Sequence, residues 1–131
     1  MAYKILVVDD EPPIVRLMEF ILARQGHQML VAVNGEEALE QVRTHRPDLV
    51  LLDIMMPRID GYEVARTLRA DPTFRELPII MLSAKAQEED IRRGADVGVN
   101  EYITKPFSPD HLVRVVGDYL QRLPATDQAV S

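Results

Sequence analysis

The sequence predicts an α/β fold of three layers, in which a doubly wound parallel sheet of five strands lies between helices on both faces. Two observations favour this fold. Short apolar runs, most of them ending in a polar residue, alternate with segments whose apolar residues recur at helical spacing. This unit of strand and helix repeats five times, and such alternation is typical of a parallel sheet that helices cover on both faces.

The predicted strands are the most apolar stretches of the chain. Leu49 to Leu52 is a continuous apolar run, which predicts a strand that is buried on both faces. The other strands are expected at 5–8, 29–33, 78–82 and 101–104.

The helices are predicted from their start and stop signals and from their spacing. The expected first-turn prolines are Pro12, Pro13 and Pro109, and the expected N-caps are Asn34, Asp60 and Ser108. Gly26 is expected to end the first helix, and Gly94 or Gly98 to end the fourth, which is predicted near 87–93. The apolar positions expected on the buried faces are Ile14, Leu17, Met18, Ile21, Leu22, Ala38, Leu39, Val42, Val64, Leu68, Leu112, Val115, Val116, Tyr119 and Leu120.

The length of 131 residues fits one domain, expected over residues 1–122, with 123–131 as a polar tail or the start of a linker. The absence of cysteine excludes disulfides and thiol catalysis. A formal charge of −6 disfavours binding to nucleic acid or to an anionic membrane. No apolar run approaches the roughly 20 residues that span a bilayer, and no signal peptide is evident, so we expect a cytoplasmic protein.

Polar side chains follow four of the predicted strands: Asp9 and Asp10, then Asp53, Ser83 and Lys105. The carboxyl ends of parallel strands meet at one edge of a sheet, where ligands bind in such folds. Crowded carboxylates repel one another, a divalent cation relieves that repulsion, and oxygen ligands favour magnesium. A lysine ammonium and a serine hydroxyl suit the oxygens of a bound anion. The sequence therefore predicts a phosphoryl site beside a magnesium site.

These residues carry a resemblance to a known family. Asp9-Asp10, Asp53 with Pro57 and Gly61, Ser83-Ala84, and Lys105-Pro106-Phe107 together resemble the receiver domain of two-component response regulators, over about residues 3–122. The resemblance implies a flavodoxin-like sheet with strand order 2-1-3-4-5. It also implies a signalling domain that catalyses only its own phosphorylation and dephosphorylation.

The resemblance implies a role for each site residue. Asp53 would be the phosphoacceptor for a sensor histidine kinase or a phosphotransfer protein, with Lys105 and Ser83 contacting the phosphoryl group. Mg²⁺ would be held by Asp53, Asp10, Asp9 through water, and the backbone carbonyl of Met55. Ser83 and Tyr102 would be the switch residues, Pro57 and Gly61 would shape the loop after the third strand, and the Lys105-Pro106 bond would be cis.

Simpler interpretations stay open at this point. Asp9 would serve as a helix cap, Lys105 as a solvated lysine, Tyr102 as a core residue, and Met55 and Met56 as packing residues. Three other functions also remain: a haloacid-dehalogenase-like phosphatase, which normally has a second Asp where this chain has Met55; a flavodoxin-like cofactor binder; and a pseudo-receiver that only binds proteins.

The output is expected at the surface formed by the fourth helix, the fifth strand and the fifth helix, which would contact a partner protein, an output domain or a second copy on phosphorylation. Direct binding to nucleic acid or membrane is not expected of this domain. Winged-helix transcription regulators of the family dimerise through charged residues on that surface. At the positions we align with that set, this chain has Asn100, His111 and Val115, none a fixed charge. We therefore favour a single-domain or differently partnered receiver over that dimer, with a fragment of a DNA-binding regulator as the alternative.

Overall fold

The protein is described by a computed structural model that covers residues 3–56, 59–84 and 88–123. Five strands form one parallel sheet in the order β2-β1-β3-β4-β5. The strands are β1 (Lys4–Val8), β2 (Gln28–Ala32), β3 (Leu49–Asp53), β4 (Ile79–Ser83) and β5 (Glu101–Thr104). The predicted fold class and strand order are confirmed.

Five helices connect and follow the strands: α1 (Pro12–Ala23), α2 (Gly35–His45), α3 (Gly61–Ala70), α4 (Glu88–Val97) and α5 (Pro109–Gln121). The three predicted N-caps are confirmed, because the side chains of Asn34, Asp60 and Ser108 each accept a hydrogen bond from the backbone N–H three residues on. A 3₁₀ turn at Pro72–Phe74, which the sequence pattern did not predict, lies between α3 and β4.

Two hydrophobic clusters fill the space between the sheet and its helices. One lies under α2, α3 and α4 and includes Leu52, Val64 and Met81. The other lies under α1 and α5 and includes Leu51 and Leu112. Every residue of β3 and β4 is buried, as expected for the middle of a parallel sheet whose two faces are both covered.

Several predicted positions are corrected by the structure. Leu17 is 43% exposed and lies off the buried face of α1. Val15, three residues before Met18, lies on that face instead, because residues three or four positions apart share one side of a helix. The second strand ends at Ala32, so Val33 lies outside it and is exposed.

The predicted end of the first helix shifts, whereas Gly98, one of the two predicted ends of the fourth helix, is confirmed. The first helix ends at Ala23, and Gly26 adopts a positive φ of 90° in the turn that follows. Gly94 lies inside α4, and the helix ends before Gly98, whose φ is 92°.

Within the described ranges, no helix combines the length and the apolar character needed to cross a membrane. Pro57, Gln87 and the tail from Pro124 to Ser131 lie outside the described residues.

Candidate functional site

The carboxyl ends of the strands bring four predicted site residues to one edge of the sheet. Asp53 and Ser83 are the last residues of β3 and β4, while Asp9 and Lys105 directly follow β1 and β5. The parallel register pairs Ser83 with Thr104, so Lys105 comes one residue beyond the end of this ladder. The sheet topology thus brings together residues from the ends of four strands, as the sequence predicted.

The ammonium group of Lys105 lies among three carboxylates. Its Nζ is 2.8 Å from Asp9 Oδ2, 3.4 Å from Asp53 Oδ1 and 3.4 Å from Glu11 Oε1. The side chains of Asp9 and Asp53 are almost fully buried, and that of Lys105 is only 11% exposed. Lys105 is therefore a largely buried partner of the acids and not a solvated surface lysine.

The site changes the protonation of its own groups. Burial, together with the negative charge of Asp9, raises the pKa of Asp53 from 3.8 to about 6, against the opposing effect of Lys105. Burial by itself lowers the pKa of Lys105, but its hydrogen bond to Asp9 and the charges of Asp53, Asp9 and Glu11 outweigh burial and raise it. Lys105 therefore stays positively charged, whereas ionisation of the buried Asp53 carboxylate destabilises the folded protein.

Four acids at this edge form a group that suits a metal ion. Asp9, Asp10, Glu11 and Asp53 each offer a carboxylate oxygen, and these oxygens lie within 4.8 Å of one another. Hard oxygen ligands without nitrogen or sulfur match the preference of magnesium. Glu11 was not among the predicted site residues, although its place directly after Asp10 was the available signal.

The segment after β3 is shaped by a glycine. A Cβ at Gly61 would come within 2.5 Å of the Asp53 carbonyl oxygen, far closer than side chains approach backbone. The Gly61 N–H also donates to the Ile54 carbonyl at 3.0 Å. Gly61 therefore lets the start of α3 lie directly against the end of β3, next to Asp53.

The two methionines after Asp53 differ. Met56 is buried, in agreement with a packing role, whereas Met55 is 69% exposed, so the packing interpretation was wrong for its side chain. Its exposed side chain lines the groove that also contains Asp10, at the edge of the site.

Tyr102 in β5 packs its ring against the cluster under α2, α3 and α4, and its hydroxyl is buried without a hydrogen-bond partner among the described residues. Close by, the Tyr62 hydroxyl donates to the Asp90 carbonyl at 3.1 Å, and burial followed by the neighbouring Tyr102 raises the pKa of Tyr62. Ser83 is buried at the end of the neighbouring strand. The peptide bond between Lys105 and Pro106 is cis.

The residues aligned with the charged dimer surface have other surroundings. Val115 is buried in the cluster under α1 and α5, and His111 is exposed. Asn100 Oδ1 accepts hydrogen bonds from Ile79 N and from Arg69 Nη2, both at 2.8 Å, at the opposite edge of the sheet from Asp53. Val115 and Asn100 carry no charge, and both side chains are packed or hydrogen-bonded within the domain.

Comparison with known proteins gives a consistent result. Residues 5–117 match the response regulator receiver domain family. The chain is 45% identical over 122 residues to the alkaline phosphatase synthesis transcriptional regulatory protein PhoP of Bacillus subtilis, an alignment that covers 93% of this chain and 50% of that protein. The chain therefore spans about half the length of this relative.

Two solved structures illustrate the structural match. A response regulator from Chloroflexus aurantiacus has a TM-score of 0.89 at 35% identity and covers 93% of this chain and 100% of its own. The receiver domain of a sensor histidine kinase from Pseudomonas aeruginosa, solved with a magnesium ion in its active site cleft, has a TM-score of 0.85 at 30% identity and covers 92% of this chain and 99% of its own. The chain belongs to the receiver domains of two-component response regulators.

Proposed function

We propose that Asp53 is the phosphoacceptor of this receiver domain. A carboxylate oxygen of Asp53 attacks the phosphorus of a phosphohistidine on a histidine kinase or a phosphotransfer protein. The new O–P bond forms as the P–N bond breaks, and the histidine nitrogen leaves with the bonding electron pair. The observation that carries the proposal is the position of Lys105 Nζ, 2.8 Å from Asp9 and 3.4 Å from Asp53, where a cation would meet the oxygens of an incoming phosphoryl group.

The protonation of the site supports this chemistry. With a pKa of about 6, Asp53 is mostly ionised at neutral pH and is available as a nucleophile. Its burial leaves the carboxylate poorly solvated, and removing water strengthens the attraction between Lys105 and negative charge that develops on the phosphoryl oxygens. Ser83, buried at the end of the adjacent strand, would donate a hydrogen bond to the same oxygens.

We also propose that the domain uses Mg²⁺. Asp10, Asp53, Asp9 through water and the backbone carbonyl of Met55 would hold the ion, and the donor set of clustered carboxylate oxygens fits this choice. Bound magnesium would neutralise charge shared between the carboxylates and the phosphoryl group. The Pseudomonas aeruginosa receiver domain holds magnesium in its cleft, which supports the same use here.

The output is proposed at the surface formed by α4, β5 and α5, with Ser83 and Tyr102 as the switch residues. The buried Tyr102 hydroxyl lies near the Tyr62 hydroxyl but makes no hydrogen bond of good geometry among the described residues. A second position of the ring that satisfies this hydroxyl would give the switch two arrangements. Pro57 is proposed to shape the loop after β3 together with Gly61.

We propose that residues 1–122 form the receiver and that 123–131 are a tail or the start of a linker. Val115 is buried, and Asn100 Oδ1 accepts a hydrogen bond from the Ile79 N–H within the domain. Both observations support a single-domain or differently partnered receiver over the charge-paired dimer. The alternative, a receiver followed by a DNA-binding output domain, is supported by the likeness to PhoP, a transcriptional regulator of which this chain spans about half the length. In either case the domain would act as a signalling module in the cytoplasm, where a histidine kinase would donate the phosphoryl group.

Intact mass spectrometry with a small phosphodonor tests the proposed function. Wild-type protein incubated with acetyl phosphate and Mg²⁺ should gain about 80 Da, one phosphoryl group. The gain should vanish in Asp53→Asn and when the metal is chelated, and it should persist in Asp118→Asn, which removes an exposed acid of α5. A chain that releases inorganic phosphate over many turnovers without gaining mass would instead be a phosphatase.

A further inference from the structure

Glu11 has no role in the function proposed above, yet its side chain faces the site. Its Oε1 is 3.4 Å from Lys105 Nζ, the same distance that separates Lys105 from Asp53 Oδ1. One ammonium group is therefore shared between the phosphoacceptor and an acid from the start of α1.

The backbone explains why this carboxylate is available. Glu11 is the N-cap residue of α1, but its side chain caps no backbone N–H within the described part of the chain. Pro12 and Pro13 have no N–H to offer, and the N–H of Ile14 donates to the backbone carbonyl of Glu11 at 3.0 Å. The Glu11 carboxylate is therefore not used to cap the helix and is available to Lys105.

The backbone also fixes the position of Glu11 relative to the site. The Glu11 N–H donates to Asp9 Oδ1 at 3.0 Å, while the other oxygen of Asp9 binds Lys105 at 2.8 Å. Asp9 thus binds both the Lys105 ammonium and the Glu11 backbone N–H, and the exposed Glu11 carboxylate contacts the same ammonium.

We propose that Glu11 is a positioning residue that competes with the phosphoryl group for Lys105. Asp9 and Asp53 are buried, so withdrawing Lys105 from either leaves a charge in a poorly solvated place. Glu11 is 60% exposed, so water solvates its carboxylate once the lysine leaves. Glu11 is therefore the partner that Lys105 gives up at the lowest cost when a phosphoryl group arrives on Asp53.

The proposal, which rests on Asp53 as phosphoacceptor, predicts that Glu11 slows phosphorylation. Breaking its contact frees Lys105 for the phosphoryl oxygens. Since ion pairs with a solvent-exposed partner are weak, we expect the phosphorylation rate to rise by about two- to fivefold.

Three variants separate positioning from general charge repulsion of an anionic donor. Glu11→Gln removes both the charge and the contact. Glu11→Asp keeps the charge but is one methylene shorter, so it no longer reaches Lys105. Asp90→Asn is the matched control, since it neutralises an acid that lines the same groove as Asp10, whereas the described acids paired with Lys105 are Asp9, Glu11 and Asp53.

The measurements are the second-order rate of phosphorylation by acetyl phosphate with saturating Mg²⁺, and the NMR signal of the Lys105 ammonium group in metal-free protein. The chain has three lysines, Lys4, Lys85 and Lys105, so this signal can be assigned by substitution. We expect both Glu11 variants to accelerate phosphorylation and to shift the Lys105 signal, with Asp90→Asn within about 1.5-fold of wild type and its Lys105 signal unmoved.

The proposal is overturned if Glu11→Asp behaves like wild type while Glu11→Gln and Asp90→Asn accelerate equally, because net charge alone would then explain the rates. It is also overturned if either Glu11 variant slows phosphorylation or leaves the Lys105 signal unmoved. If wild-type protein itself gains no phosphoryl group, Asp53 is not a phosphoacceptor, and the inference about Glu11 falls with that function.

Discussion

Replacing Asp53 by Asn should stabilise the metal-free protein at neutral pH. The structure raises the pKa of Asp53 from 3.8 to about 6, chiefly through burial. Between these values the folded protein retains a proton that the unfolded chain releases, so the stability contributed by this group falls as the pH rises from about 4 to about 6. Above about pH 6 the carboxylate is ionised in both states, and the free energy of unfolding is lowered by the full amount that the pKa shift implies.

The size of the effect follows from the shift. At about 1.36 kcal/mol for each pKa unit, a rise from 3.8 to about 6 corresponds to at most about 3 kcal/mol, because water around the exposed neighbours Asp10 and Glu11 screens part of the charge. Asn keeps the shape of the side chain and an acceptor oxygen near Lys105 but carries no charge. Lys105 keeps Asp9 as a partner at 2.8 Å, so the substitution leaves no buried cation alone.

Urea unfolding in the presence of a chelator measures this effect. We expect Asp53→Asn to exceed wild type in free energy of unfolding by up to about 3 kcal/mol at pH 7.5, with the difference shrinking towards zero near pH 4. Asp118→Asn, an exposed control, should stay within about 0.5 kcal/mol of wild type. A variant as stable as wild type at pH 7.5, or a difference that does not change with pH, would refute the reasoning about a costly buried charge.

Three further predictions concern the metal, the loop and the output surface. Asp10→Ala should weaken Mg²⁺ binding at least about tenfold in calorimetry, because too few hard ligands remain, and unchanged affinity would remove Asp10 from the site. Gly61→Ala should cost about 1–3 kcal/mol in urea unfolding, because its Cβ would lie 2.5 Å from the Asp53 carbonyl oxygen, and a negligible cost would show that the backbone relaxes freely. Sedimentation with beryllofluoride, which stands in for the phosphoryl group, and Mg²⁺ should show no dimer held by ion pairs on the α4, β5 and α5 surface; an activation-dependent dimer that charge reversal at Glu101 or Arg92 breaks would contradict this.

The sheet was predictable from the sequence because its signals are local. The apolar run Leu49 to Leu52 is short and is followed by a polar residue, which favours a buried strand over a helix, and side-chain capping at Asn34 and Asp60 acts over three residues. The approach of Asp9, Asp53 and Lys105 follows from topology, since parallel strands place their carboxyl ends at one edge.

The features that were missed depend on long-range geometry. Glu11 and Lys105 are 94 positions apart in the chain, and their contact depends on how α1 begins relative to the end of β5. Leu17 fits the apolar spacing of α1 but is exposed. The spacing predicts which side of the helix faces the core, but it does not predict how much of that side the sheet and the neighbouring helices cover. The hydrogen bonds from Arg69 to Gly98, Phe74 and Asn100 tie together segments that no local pattern relates.

The identity of the modified residue is the most direct test of the central proposal. Protein phosphorylated with acetyl phosphate and Mg²⁺ can be reduced with borohydride, which converts an aspartyl phosphate to homoserine and so marks the acceptor permanently. Peptide sequencing by mass spectrometry should then find homoserine at position 53 and aspartate at positions 9 and 10. Homoserine at Asp9 or Asp10, with Asp53 unmodified, would contradict the assignment of Asp53 as the phosphoacceptor.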